Sequence, residues 1–209
     1  MEMEAFLKSL SQTQPTKNDF NNIHNIKSKY ANWVIPGILM CGPTPGPSSY
    51  CPVVDSCEYQ ENMDNIIADG IDTFVCLQEE LNPESSYRSL IHTPMIKIIH
   101  YPIKDETVPS KQTFLTHMTK LLDLIREGKR IYIHCAGGHG RTSLYVACIL
   151  ACLYKEMRHF ESVMYYVQSV HDMRQKQKKQ FYGILPCMIC CSSAQRELIK
   201  DFINLISWQ

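Results

Sequence analysis

His134-Cys135-Ala136-Gly137-Gly138-His139-Gly140-Arg141-Thr142 is the stretch that decides the fold. It lies between a short apolar run, Ile131-Tyr132-Ile133, and a longer one, Leu144 to Leu153. The first reads as a buried strand, the second as a helix apolar on every side and therefore central. A strand that turns through glycines into a helix leaves several backbone N–H groups unpaired and aimed at one point. Such a nest binds a tetrahedral anion. Cys135 stands at its base, where a thiolate can attack phosphorus. A helix N-terminus and a nearby cation both favour the thiolate form. Arg141 supplies the cation, and its guanidinium matches two phosphate oxygens at once. In the first turn of a helix a cation opposes the helix dipole, so its position implies an anionic partner. Gly137, Gly138 and Gly140 let the backbone curl and come close to a ligand. The phosphate-binding set is therefore Ala136, Gly137, Gly138, His139, Gly140 and Arg141.

Outward from this loop the pattern alternates. Ile71 to Leu77, Met95 to His100 and Arg130 to His134 read as short buried strands. Trp33 to Cys41 is a further apolar run and ends at Gly42-Pro43. Glu58 to Asp69, Thr113 to Arg126, Phe160 to Val170 and Leu198 to Ile206 carry apolar residues at helical spacing. Gly70 and Gly128 stop the first two. The segment Gln78 to Thr93 reads as a polar loop, and Arg174 to Lys179 as a basic connector. Strands alternating with helices predict an α/β fold: one domain over residues 31–209, with a mostly parallel sheet of four to five strands flanked by helices. Residues 1–30 are polar and read as an N-terminal extension.

Bulk properties narrow the function classes. Lys+Arg and Asp+Glu are both 21, so net charge is zero and a general nucleic-acid binder is not expected. The chain is 44% hydrophobic and 20% charged, as in ordinary globular proteins, and no run is long and apolar enough to suggest a membrane span. Ten cysteines in 209 residues fall short of a disulfide scaffold, and several lie inside apolar runs. With no leader pattern at the N-terminus, the expected compartment is reducing: cytoplasmic, with nuclear possible. Cys187-x-x-Cys190-Cys191 looks like half a zinc site, but no partner pair has the right spacing, so neither metal nor cofactor is expected.

Cys135-x5-Arg141-Thr142 with the preceding His134 resembles the signature of the cysteine-dependent protein tyrosine phosphatases, and the compact size resembles their small dual-specificity branch. Trp33 to Leu39 resembles the opening strand of that branch, Tyr101-Pro102-Ile103-Lys104-Asp105 its general-acid loop, and Ser192-x-x-Gln195 the start of its last helix. The resemblance spans roughly residues 31–207. It implies metal-independent hydrolysis of phosphomonoesters through a phosphocysteine intermediate. Cys135 would be the nucleophile, and Arg141 the clamp on phosphate and transition state. Asp105 would be the general acid and then the base. Thr142 would place a hydroxyl near the departing sulfur, and His134 would support the loop.

Some roles stay open at this level. Glu106 neighbours Asp105 and is a second candidate acid. Gln195 completes a capping box with Ser192, a structural device, and in similar phosphatases directs the hydrolytic water. The substrate stays open between phosphotyrosine, phosphoserine/threonine and a phosphoinositide or inositol phosphate. The expected partner is therefore a phosphorylated protein or a phosphoinositide. His139 stands where phosphoinositide phosphatases often carry lysine. A phosphate-binding pseudophosphatase or adaptor is the alternative from another class, although Cys135, Arg141 and Asp105 are all present. A reactive Cys135 is also expected to lose activity reversibly to peroxide.

Overall fold

Asn32–Ile35 (β1), Leu39–Pro43 (β2), Thr73–Gln78 (β3), Lys97–Ile103 (β4) and Ile131–Cys135 (β5) form one sheet in the order β1-β2-β5-β3-β4. The coordinates are a computed structural model. It describes residues 31–47, 56–182 and 192–207, without the side chains of Ser56 and residues 172–182. β2, β5, β3 and β4 run parallel; β1 alone pairs antiparallel, with β2. The expected α/β architecture and mostly parallel sheet are both present.

Alternating strand residues divide the core into two layers. Ile131, Ile133 and Cys135 of β5 join a large cluster with Val75 and Leu77 of β3. Four helices cover that face: Lys111–Arg126 (α3), Gly140–Leu153 (α4), Phe160–Tyr182 (α5) and Ser193–Ser207 (α6). Tyr132, Phe74 and Met40 point the other way, against Met63 and Ile66 of Ser56–Ala68 (α1) and against Tyr87 and Ile91. α4 is the central helix: Arg141 to Leu153 are all buried.

The structure corrects three local expectations. The Trp33–Cys41 run is not one strand but a hairpin, because Pro36-Gly37 turns the chain and Ile38 N donates to Ile35 O at 3.0 Å. Tyr101-Pro102-Ile103 is the end of β4 rather than loop. β4 is an edge strand, where a proline's missing N–H leaves no ladder bond broken. The basic run 174–179 is not a connector, since α5 continues through it to Tyr182. Arg, Lys and Gln are strong helix formers, and no glycine interrupts them before Gly183. Within the polar segment 78–93 the chain makes a helical turn, Pro83–Ser86 (α2), capped by Asn82, and then a 3-10 turn, Arg88–Leu90. Residues 1–30, Cys51 and the Cys187–Cys191 cluster lie outside the described residues.

Candidate active site

β5 ends at Cys135, and α4 begins five residues later at Gly140. The turn between them needs one left-handed residue, and Gly138 provides it at φ 72°. Cys135 is buried at the base of the turn. Its carbonyl accepts from Thr44 Oγ1 at 3.2 Å, and Ala136 O accepts from Thr44 N at 3.1 Å. Thr44 also donates to Gln78. The loop following β2 therefore anchors the cysteine end of the nest. The other end meets α6: a methyl group on Gly140 would lie 2.7 Å from Gln195 Oε1, so a larger residue here would displace the Gln195 amide.

Arg141 leaves the first turn of α4 and is almost wholly buried. Its Nη1 and Nη2 donate to the two carboxylate oxygens of Glu80 at 2.7 and 2.8 Å, and Nη1 also donates to Ile103 O at 2.9 Å. Nη2 lies 3.1 Å from Asp105 Oδ1. A buried guanidinium needs such pairing. Burial alone would raise the Glu80 carboxyl; its hydrogen bonds from Arg141 overcome that and hold it below the usual range. Arg141 Nε is buried with no hydrogen-bond partner among the described residues. The same holds for Thr142 Oγ1.

His134 is fully buried and bonds through Nε2 to the Tyr87 hydroxyl at 2.9 Å. Burial pushes its imidazole down to about 3, so it is neutral near pH 7. Cys76 sits opposite His134 in the neighbouring strand, and burial drives its thiol up to about 12. It stays a thiol and is no competing nucleophile.

Asp105 follows β4 directly and is half exposed beside Arg141. Glu106 adopts φ 60° in a tight turn closed by Thr107 N on Lys104 O at 3.2 Å. Among the described residues, the ion pairs of Arg141 are with Glu80 and Asp105; Glu106 makes none with it. Gln195 is buried in the first turn of α6, where its backbone N donates to Ser192 Oγ at 3.1 Å. Its side-chain amide donates across to Thr107 O at 3.3 Å. α6 is thus tied to the loop carrying Asp105. No group of three or more His, Cys, Asp or Glu able to hold a metal occurs among the described residues.

A family model described as the Swiss Army Knife DSP-PTPase phosphatase domain matches residues 28–198. The chain belongs to that phosphatase family. Its sequence is 38% identical over 95 residues to "Putative tyrosine phosphatase 067L" of Invertebrate iridescent virus 3, covering 44% of this chain and 38% of that protein. With protein 197R of Invertebrate iridescent virus 6 it shares 35% over 92 residues, 42% of this chain and 34% of the relative. The matches thus span little more than a third of these relatives' length. Among solved structures, kinase associated phosphatase with its catalytic-site cysteine changed to serine has TM-score 0.59 at 17% identity, covering 82% of this chain and 88% of that one. Tk-PTP in its active form has TM-score 0.57 at 19%, covering 84% and 97%. PTPMT1 in complex with PI(5)P has TM-score 0.53 at 13%, covering 86% and 97%. At these identities the likeness is one of fold.

Of the residues that the sequence singled out, the β5–α4 turn carries His134 to Thr142, Asp105 reaches Arg141 from the loop after β4, and Gln195 reaches Gly140 from α6. Glu106 makes no ion pair with Arg141 among the described residues. Reading the sequence did not find Glu80, Thr44 or Tyr87. Glu80 left one signal, a carboxylate just beyond a parallel strand's carboxyl end, where α/β sites assemble. Thr44 and Tyr87 left none, because their partners lie 91 and 47 residues away.

Proposed function

We propose that this chain removes phosphate from phosphotyrosine or phosphoserine/threonine in proteins, through a covalent phosphocysteine and without a metal ion. The observation that carries this is the glycine turn with buried Cys135 at one end and buried Arg141 at the other, and Asp105 3.1 Å from Arg141 Nη2. Cys135 Sγ attacks phosphorus, and the bond from phosphorus to the substrate oxygen breaks. Asp105 gives that oxygen its proton. Loop N–H groups and Arg141 carry the charge of the transition state, with Arg141 Nε a buried donor still to be used. Water then attacks the phosphocysteine, Asp105 takes the water's proton, and the P–S bond breaks. Thr142 Oγ1, a buried hydroxyl, donates to the departing sulfur. Gln195, set between Gly140 and the acid loop, directs the water. The catalytic unit is the domain from residue 31 onward.

The test is hydrolysis of para-nitrophenyl phosphate with chelator present. Wild type turns over, Cys135→Ser does not, and Asp105→Asn is slower by roughly 10²–10⁴-fold. Loss of wild-type activity to chelator would sink the metal-free mechanism. Phosphopeptides and phosphatidylinositol phosphates, offered side by side, decide the substrate class: faster turnover of the lipid would replace the protein assignment.

A further inference from the structure

Gln78 is the last residue of β3 and takes no part in the mechanism above. It is buried, at 1% exposed. A carboxylate only accepts hydrogen bonds, which fixes how the Gln78 amide is turned. Its Nε2 donates to Glu80 Oε1 at 3.3 Å, and its Oε1 accepts from the Thr44 hydroxyl. The same hydroxyl lies 3.2 Å from Cys135 O, and the same Glu80 oxygen accepts from Arg141 Nη2 at 2.8 Å. The backbone of Gln78 is fastened as well: its carbonyl accepts from His100 Nε2 at 2.6 Å. A chain of hydrogen bonds thus bridges the phosphate turn, from the carbonyl of Cys135 through Thr44, Gln78 and Glu80 to Arg141.

A turn built on Gly137, Gly138 and Gly140 does not by itself fix the distance between its ends, because glycine leaves the backbone wide conformational freedom. That task falls to contacts outside the turn. Thr44 holds Cys135 and Glu80 holds Arg141, but the Glu80 side chain is 34% exposed and its last torsion is soft. In a bidentate pair the guanidinium and the carboxylate lie fork to fork. A carboxylate free to turn would therefore carry the Arg141 fork with it. A third contact, from a buried amide, holds the carboxylate in place.

We propose that Gln78 is a positioning residue for the reaction: its amide joins the anchor of Cys135 to the partner of Arg141, and so holds nucleophile and phosphate clamp at one spacing. It acts on Arg141 through Glu80. A misplacement of about 1 Å costs on the order of 10²-fold in rate, so small tilts of the fork matter. The proposal rests on the phosphatase reading, and oxyanion binding is measured beside turnover so that the two can fail separately.

The experiment compares wild type, Gln78→Leu, Glu80→Ala and the double variant, each shown by urea titration to be folded under the assay conditions. Turnover is read as kcat/KM on para-nitrophenyl phosphate. Tungstate, a tetrahedral oxyanion, is titrated into the same variants made on Cys135→Ser, where binding needs no turnover. Gln78→Leu lowers kcat/KM by roughly tenfold and weakens tungstate by a similar factor, the size expected for one hydrogen bond to a charged group. In the Glu80→Ala background the same change costs less than about twofold, because its route to Arg141 is already cut. A residue that merely fills the core gives additive losses, so additivity overturns the assignment. Thr44→Val, which removes the hydroxyl and keeps the shape, also lowers kcat/KM, and Thr44→Ser restores it. If Gln78→Leu does not fold, Gln78→Met, of similar length without hydrogen-bonding ends, gives the same readings. An active wild type with Gln78→Leu within about twofold of it overturns this proposal and leaves the phosphatase reading standing. No turnover by wild type together with no tungstate binding removes the phosphatase reading, and this one with it.

Discussion

Glu80 shows how much a single side chain can govern this site. Arg141 is buried, and its planar fork has one well-matched partner, the Glu80 carboxylate. Without that carboxylate the guanidinium keeps the Ile103 carbonyl, and its remaining ion pair is with Asp105, which the proposed chemistry needs for proton transfer. Glu80→Ala is therefore expected to lower kcat/KM on para-nitrophenyl phosphate by roughly 10²-fold, the scale of cost for misplacing a catalytic group. It also lowers unfolding free energy by about 1–3 kcal/mol, read by urea titration. Unchanged kinetics would mean that the turn holds Arg141 unaided. His134 gives a pH prediction. Burial depresses its imidazole to about 3, below the ordinary 6.5, so the unfolded chain takes up a proton first as pH falls. Its contribution to stability is complete above pH 6.5 and is lost progressively from there toward pH 3. The greatest slope from this one group is about 1.4 kcal/mol per pH unit. Urea midpoints at pH 7, 6 and 5 should fall in that order, and His134→Asn should flatten the trend.

At the scale of elements, the acid loop is held at both ends. β4 delivers Asp105, and α3 begins just past the loop with Ser110 as its cap, accepting from Thr113 N at 3.2 Å. Ser110→Ala should cost about 1 kcal/mol of stability by chemical denaturation. Because Ser110 touches no proposed catalytic group, kcat should stay within a factor of roughly two. A large fall in kcat would show that the start of α3 sets the acid's position. Element boundaries were only partly legible. The helical period marks α3 and α6, a run apolar on every side marks α4, and each is present. The hairpin at Pro36-Gly37 and the continuation of α5 through the basic run were not legible, because local composition there fits two states. Tertiary pairing with β5 settled the hairpin: Leu39 to Pro43 lie opposite Ile131 to Cys135 along its whole length.

At the scale of the molecule, α4 is both the core and the base of the site. Ile149 is fully buried on the helix that carries Arg141 and Thr142. Ile149→Ala should cost about 2–5 kcal/mol through lost burial and the cavity left behind. For a domain of this size each kcal/mol lowers Tm by about 2–4 °C, which calorimetry reads directly. A shift under roughly 2 °C would mean that the core collapses to fill the gap. No described helix is long and apolar enough to cross a membrane. Four helices on one face of the sheet, and one helix with the Tyr87 segment on the other, leave the carboxyl ends of β3, β4 and β5 to gather Glu80, Asp105 and Cys135.

By itself the sequence determined the phosphate turn, the α/β alternation and the candidate residues His134 to Thr142, Asp105 and Gln195. That information is local: the glycines, the apolar runs and the cysteine-to-arginine spacing lie within a few turns of chain. Only the tertiary structure decided who stands beside Arg141, what anchors Cys135 and that Gln78 joins the two. Those contacts join residues 61, 91 and 34 positions apart in the chain. Side chains so far apart meet only when sheet order and helix packing bring them together, and no periodicity in the chain encodes such a meeting.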